Sequence, residues 1–253
     1  MKKATVVIQA RMGSSRLPDK VLMPLAGKSV LEHVIRRCQH AQFVDRVIVA
    51  TTVEPKDMAV VNFVNGLEVA VFCGSVNDVL DRYYQTARRF ESQHIIRITA
   101  DCPMIDPDVI DRVVGKYFES NADYASNTLE ETFPDGEDVE IFSLEALSMA
   151  WQDAKLSSER EHVTPYIRKN DIFEKINIRH DENWGHYRWT LDEFRDYQKL
   201  SFVFDALYQR DPFFHMNDIV QFLQDHPEVD GMNVSIGRNE GYQKSLANDK
   251  KAL

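Results

Sequence analysis

A chain of 253 residues, 43% of them hydrophobic, carries enough apolar material for one sizeable core. Its net charge of −10 argues against a nucleic-acid binder, which needs a basic face, and leaves room only for a local basic pocket. Three cysteines, Cys38, Cys73 and Cys102, odd in number and without CxxC spacing, exclude a disulfide framework.

Met1-Lys2-Lys3 leads into a short apolar run that Arg11 closes off. A secretory signal needs a longer apolar region and a small-residue cleavage site. No run reaches transmembrane length, so a cytoplasmic protein without membrane contact is expected. Residues 5–8, 47–50, 69–72 and 95–98 form four short β-branched runs of one kind, which predicts strands buried on both faces. Cys73 and Cys102 each end an apolar run and are expected to be buried thiols. Helical spacing over 30–40, 55–65 and 78–91 separates these strands, and a further helix is expected to begin at Asp106 or Pro107. The alternation predicts a mostly parallel, Rossmann-like α/β sandwich of three layers.

From Tyr124 the rhythm changes. Strands are expected at 139–142 and 175–178, with a helix over 144–155 between them. Ser158-Glu159-Arg160-Glu161 fits a capping box and predicts a helix from there to about Arg168. A strand over 187–191, a helix to about Arg210 and a last helix over 217–225, stopping before Pro227, complete the reading. The polar stretch 248–253 is expected to be disordered. No repeat or linker divides the chain, so one domain is expected over 1–253, with 124–185 as an inserted subregion.

In such a sheet, ligands bind beyond the carboxyl ends of the strands. The loop after the first strand runs Gln9-Ala10-Arg11-Met12-Gly13-Ser14-Ser15-Arg16-Leu17-Pro18-Asp19-Lys20. Gly13 and the serines can turn backbone N–H groups toward phosphate oxygens, and Arg11, Arg16 and Lys20 supply the charge to hold a polyphosphate. Two other motifs fail. Gly27-Lys28-Ser29 lacks the earlier P-loop glycine, where Leu22 stands, and no G-x-G-x-x-G follows a strand. Without a G-x-S-x-G elbow, Ser14 and Ser15 are not expected to act as nucleophiles. The fourth strand ends in Thr99-Ala100-Asp101-Cys102-Pro103, and the late apolar run in Thr190-Leu191-Asp192-Glu193. Asp101 and Asp192 are candidate Mg²⁺ ligands at the same edge as the basic loop, although either alone also suits a helix cap or turn. His162, near the start of a predicted helix, is expected to pack as a partly buried imidazole.

The segment from Ile8 to Lys20 resembles the opening signature of the CMP-sugar-acid synthetases, the 3-deoxy-manno-octulosonate and acylneuraminate cytidylyltransferases. The nearer likeness is to spore-coat polysaccharide biosynthesis protein F and its relatives. It continues at Gly27-Lys28, Ala50-Thr51-Thr52, Gly74 with Arg82, Asp101-Cys102-Pro103, Glu161-His162 and Leu191-Asp192 through Asp196. The resemblance implies a glycosyltransferase A-type fold and transfer of CMP from CTP to a sugar acid, with pyrophosphate leaving. It also implies a role in surface polysaccharide biosynthesis. Arg11, Arg16 and Lys20 would hold the phosphates, and backbone around Ala10, Gly13 and Ser14 would approach the nucleotide. Gly74 and Arg82 would belong to the same pocket, and Asp101 and Asp192 would bind Mg²⁺. The subregion 124–185 would form the acceptor pocket and much of a homodimer interface, with Glu161 serving either that pocket or the capping box.

Three departures stand beside the likeness. Cys102 occupies a position where octulosonate relatives carry a carboxylate, and Thr52 replaces their aspartate after the second strand. Their late Asp-Thr-Pro-Glu-Asp reads Asp192-Glu193-Phe194-Arg195-Asp196. A-type glycosyl transfer from a nucleotide sugar and non-catalytic nucleotide binding are the alternative readings.

Overall fold

The computed structural model describes residues 2–249. Strand β1 (Ala4–Gln9) is the β-branched run expected, buried on both faces, and it pairs in parallel with β4 (Val44–Thr52) and β6 (His94–Thr99). A two-residue hairpin, β2 (Pro24–Leu25) and β3 (Lys28–Ser29), lies between the basic loop and the first helix. With β5 (Ala70–Gly74), β7 (Tyr124–Ser126), β8 (Glu140–Ser143) and β9 (Lys175–Asn177), the main sheet has the order β5-β4-β1-β6-β8-β7-β9. Only β8 runs against the rest, pairing antiparallel with both β6 and β7.

Alternate side chains of β1 feed two cores. Val6 and Ile8 pack with α1 (Val30–His40), α2 (Met58–Gly66) and α4 (Pro107–Glu119), while Val7 packs with α3 (Val79–Arg89) and α5 (Leu144–Asp153). That two-sided burial is why the strand reads as a continuous apolar run. Helix α1 begins where the Ser29 side chain accepts from Glu32 N at 3.1 Å, and α5 begins where Ser143 accepts from Ala146 N at 3.0 Å. No helix among the described residues is long and apolar enough to cross a membrane.

Several expectations change. The segment 187–191 is no strand: it makes one isolated bridge, Arg188 with Asp135, and threads between two loops. Trp189 N donates to Asp135 O at 2.8 Å and Leu191 N to Asp101 O at 2.8 Å. The helix expected over 158–168 breaks into α6 (Ser157–His162) and α7 (Pro165–Lys169), because Val163 takes φ 72° and Pro165 cannot continue a helix. The Ser158/Glu161 capping box does not form; Glu159 instead accepts from Lys155 N and Leu156 N at 2.9 and 3.0 Å. Helix α8 (Phe194–Leu207) ends short of Arg210.

Helix α9 (Met216–Asp225) is followed by α10 (Pro227–Asp230) and α11 (Glu240–Ala247), so 217–225 is not the last helix. Within 248–253, Asp249 is fixed by bonds from Ser157 Oγ, Ser158 N and Ser158 Oγ, and residues 250–253 lie outside the described residues. Cys102 is buried as expected, but Cys73 is exposed, because β5 is the edge strand.

Asp106 ties two helix starts together. Its carboxylate, 3% exposed, accepts from Asp108 N at 2.9 Å, from Met216 N at 2.7 Å and from His215 Nδ1 at 3.0 Å. Burial alone lowers the pKa of His215, but Asp106 and Asp108 outweigh it and raise it. The stabilisation from this imidazolium is full below the ordinary histidine pKa and fades as pH rises through the raised one. Asp106→Ala removes the cap and leaves Met216 N unpaired, which should cost roughly 2–4 kcal/mol in urea unfolding. The same variant should lose the part of the stability–pH slope that His215 causes.

Candidate functional site

The basic loop leaves the carboxyl end of β1 and returns to the sheet at Lys20, which is 8% exposed. Lys20 Nζ lies 2.6 Å from Asp101 Oδ2, 3.0 Å from Asp192 Oδ1 and 2.6 Å from the Leu191 carbonyl. Burial pushes the ammonium pKa down, but Asp101 and Asp192 more than reverse this and hold it above the ordinary lysine value. Burial likewise acts to raise Asp101, and Lys20 outweighs it, so that carboxyl sits below the ordinary range. Thr99 Oγ1 donates to Asp101 Oδ1 at 2.5 Å, and Arg16 Nη2 reaches Asp192 Oδ1 at 2.8 Å. Two carboxylates from distant parts of the chain therefore converge on one cationic centre.

Arg188 orients the second carboxylate. It is 6% exposed and bonds Asp135 at 2.6 Å, Asp196 at 3.1 Å and Asp192 Oδ2 at 3.0 Å. Sequence reasoning missed this role, although an arginine inside the apolar run 187–191 was a visible signal. Asp196 also accepts from Asp192 N and Glu193 N, each at 2.8 Å, and so fixes the backbone on which Asp192 stands.

A second missed residue is Asp57, which is fully buried. Its Oδ1 accepts from Met12 N at 2.7 Å, and its Oδ2 accepts from the Thr52 hydroxyl. The departure at Thr52 thus acquires a structural reading: its hydroxyl serves a carboxylate five residues on, which clamps the basic loop. Ser14 is a turn former, with N bonded to Met12 O at 2.9 Å and Oγ accepting from Leu17 N at 3.3 Å.

Around these groups lies a cleft of two lobes. The larger, about 440 Å³, takes Ala10, Arg11, Gly13, Ser14, Arg16 and Lys20 from the basic loop. The acidic pair faces them, and Gly241 and Lys244 of α11 complete the lining. The smaller, about 310 Å³, shares Gln9, Ala10 and Arg11 with it and adds Asn77, Arg82, Glu161 and His162. Arg82 is 2% exposed and donates to Ser75 O at 2.7 Å, while its Nε has no partner among the described residues. Gly74 lines neither lobe; a Cβ there would stand 3.0 Å from Arg82 Cγ, so the glycine lets the arginine stem pack close.

Arg160 anchors α6 by donating from Nε to Asp78 Oδ2 at 2.9 Å, which brings Glu161 and His162 to the second lobe. Glu161 accepts from Ser245 Oγ at 2.7 Å. Burial, then Arg97, lowers the His162 pKa to about 4, so this imidazole is neutral at neutral pH.

Residues 5–226 match the family model described as cytidylyltransferase. The chain is 35% identical over 244 residues to an uncharacterised protein of Methanocaldococcus jannaschii, covering 94% of this chain and 97% of that one. It is 28% identical over 237 residues to the spore coat polysaccharide biosynthesis protein SpsF of Bacillus subtilis, covering 90% and 97%. A solved cytidylyltransferase from Leptospira borgpetersenii superposes with a TM-score of 0.86 at 30% identity, over 91% of this chain and 97% of that one.

The Asp57 clamp is open to test. Asp57→Ala leaves Met12 N and the Thr52 hydroxyl without their acceptor, which should cost about 2–4 kcal/mol in urea unfolding. It should also weaken binding of inorganic triphosphate at least tenfold by calorimetry. Unchanged affinity would separate the clamp from the cleft.

Proposed function

We propose that this chain, which belongs to the cytidylyltransferase family, transfers CMP from CTP to a sugar acid and releases pyrophosphate, in the service of surface polysaccharide synthesis. The observation that carries this reading is the convergence of Asp101 and Asp192 on Lys20 Nζ beside a basic loop. A glycosyltransferase would release a nucleoside diphosphate, whereas two arginines and a lysine at one strand end suit a departing pyrophosphate.

Mg²⁺ takes one or two carboxylates and fills its octahedron with phosphate oxygens and water. Asp101 and Asp192 fit that donor set, being hard oxygen ligands already gathered about one positive charge. The chemistry such an ion supplies is neutralisation of phosphate charge. Lys20 holds the same two carboxylates, so an ion bound by them would compete with the ammonium, and Lys20 would then be free to turn toward phosphate.

The remaining work is positioning and electrostatics, the usual division in phosphoryl and nucleotidyl transfer. Arg11 and Arg16 bind phosphate oxygens, and Arg16 with Lys20 stabilises charge gathering on pyrophosphate as it leaves. Arg188 and Asp196 keep Asp192 aimed into the cleft. The second lobe, with Arg82 and Asn77, takes the far end of the nucleotide. The reading includes a homodimer formed through residues 124–185, where Leu129, Met149 and Ile172 are exposed.

Thermal unfolding with each of the four nucleoside triphosphates, with and without Mg²⁺, tests the nucleotide half. At about 100 times its dissociation constant CTP should add roughly 2.7 kcal/mol in the presence of Mg²⁺, and the other three less. A larger response to a different triphosphate would retain the reaction type and replace the donor. Asp101→Asn should lower kcat by roughly 100- to 1000-fold with the fold retained, and Arg16→Ala should cost about 2–4 kcal/mol in kcat/KM for CTP. Near-normal turnover of Asp101→Asn at saturating Mg²⁺ would remove that residue from the reaction.

A further inference from the structure

The C-terminal helix α11 buries none of its residues, yet it is tied down before, within and after its span. Before it, Arg238 donates to Phe133 O at 2.9 Å and to Asp138 at 2.6 Å, and Asn239 donates to Glu131 at 2.8 Å. Within it, Ser245 Oγ lies 2.7 Å from Glu161 Oε2 and 3.0 Å from His162 Nε2. The Tyr242 ring meets the His162 ring edge-on, with 5.0 Å between centroids. After it, Asp249 accepts from Ser158 N at 2.9 Å and from Ser158 Oγ at 2.8 Å. All of these partners belong to residues 124–185. A helix with no buried residue gains little from apolar burial, so these polar contacts are what fix the way α11 faces.

Its other side faces the basic loop. Gly241 and Lys244 line the larger lobe together with Arg11, Arg16 and Lys20. The carboxylates of that lining, Asp101 and Asp192, are both engaged by Lys20. Arg16 turns Nη2 to Asp192 at 2.8 Å and Nη1 to Glu240 Oε2 at 3.5 Å. Glu240 Oε2 is also 3.9 Å from Lys244 Nζ, while Oε1 accepts from Gly237 N at 3.2 Å. One carboxylate thus stands between two cations that line the cleft, one from the basic loop and one from α11. Both ion pairs are long and partly exposed, so each is weak and another anion displaces it at small cost. A phosphate group brings the same sign of charge with more acceptor oxygens.

We propose that Glu240 and the polyphosphate compete for Arg16, and that Lys244 is a further phosphate-binding residue, carried to the cleft by a strap anchored on residues 124–185. The inference rests on the phosphate role of the basic loop. It adds to that role a pair of residues from beyond position 226, where the family match ends. Glu240 with Arg16 is the ion pair that ties this strap to the basic loop among the described residues. Phosphate at Arg16 therefore releases that tie, while the contacts to residues 124–185 stay in place.

Calorimetric titration of the intact protein with inorganic triphosphate tests this. Glu240→Gln keeps an oxygen for Gly237 N and removes only the charge. It should tighten binding roughly two- to fivefold, the worth of one exposed ion pair. In an Arg16→Ala background the same change should lose most of that gain, because the pair it breaks is already gone. Lys244→Ala should weaken binding roughly three- to tenfold, as loss of one charge-assisted contact does. Neither side chain is buried, so urea unfolding of both single variants should match the parent. Unchanged or weaker binding by Glu240→Gln, a gain that persists in full without Arg16, or a Lys244→Ala protein that binds as the parent does would each overturn the inference. A parent protein that binds no triphosphate would instead overturn the phosphate reading of the loop beneath it.

Discussion

The arrangement depends on one buried ammonium group. Lys20 Nζ binds Asp101, 81 residues ahead, and Asp192, 172 residues ahead, together with the carbonyl beside the latter. A lysine withdrawn from water needs compensation at every donor, and here it has three oxygen partners. The lysine and its partners come from three constructions: a loop leaving a central strand carries Lys20, a turn after the neighbouring strand carries Asp101, and an irregular segment with no sheet of its own carries Leu191 and Asp192. The central strands can be rigid because they are buried on both faces. The irregular segment cannot borrow that rigidity and obtains it from Arg188, which bonds three carboxylates at once.

The same network reaches the C-terminal part of the chain. Asn233 donates to Asp196 at 2.7 Å, and the buried Lys199 bonds Asp230 at 2.7 Å. These contacts join α8 to the end of α10 and the turn after it, so the backbone beneath Asp192 is held from two directions. Burying charges in this way adds little net stability, since desolvation offsets the attraction. It does fix direction, and direction is what a carboxylate facing a cleft requires.

Much of this was legible in the residues. The central parallel strands were visible because burial leaves continuous β-branched runs, β5 showed the same kind of run although it is an edge strand with no buried residue, and α1 was visible because a 3.6-residue period marks its span of Val30–His40. Arg11, Arg16, Lys20, Asp101 and Asp192 do meet at one strand edge, which the rule about carboxyl ends anticipates. What failed was information that is not local. The run 187–191 alternates Tyr187, Trp189 and Leu191 with Arg188 and Thr190, as a strand would, but its backbone bonds go to loops. The capping box at Ser158 does not form because the neighbouring Glu159 caps the helix two positions earlier, at Leu156. Asp57 gave no sign at all, because its importance lies in a contact with Met12 across 45 positions.

Helix α11 has no buried residue, yet Gly241 and Lys244 line the cleft. Exposed positions tolerate replacement at small cost to folding, usually within about 0.5 kcal/mol. A chain built this way can change the lining of its cleft by drift in one peripheral helix while the buried lysine and its two carboxylates stay untouched. Evolvability of the pocket and stability of the fold are then housed in different parts of the molecule.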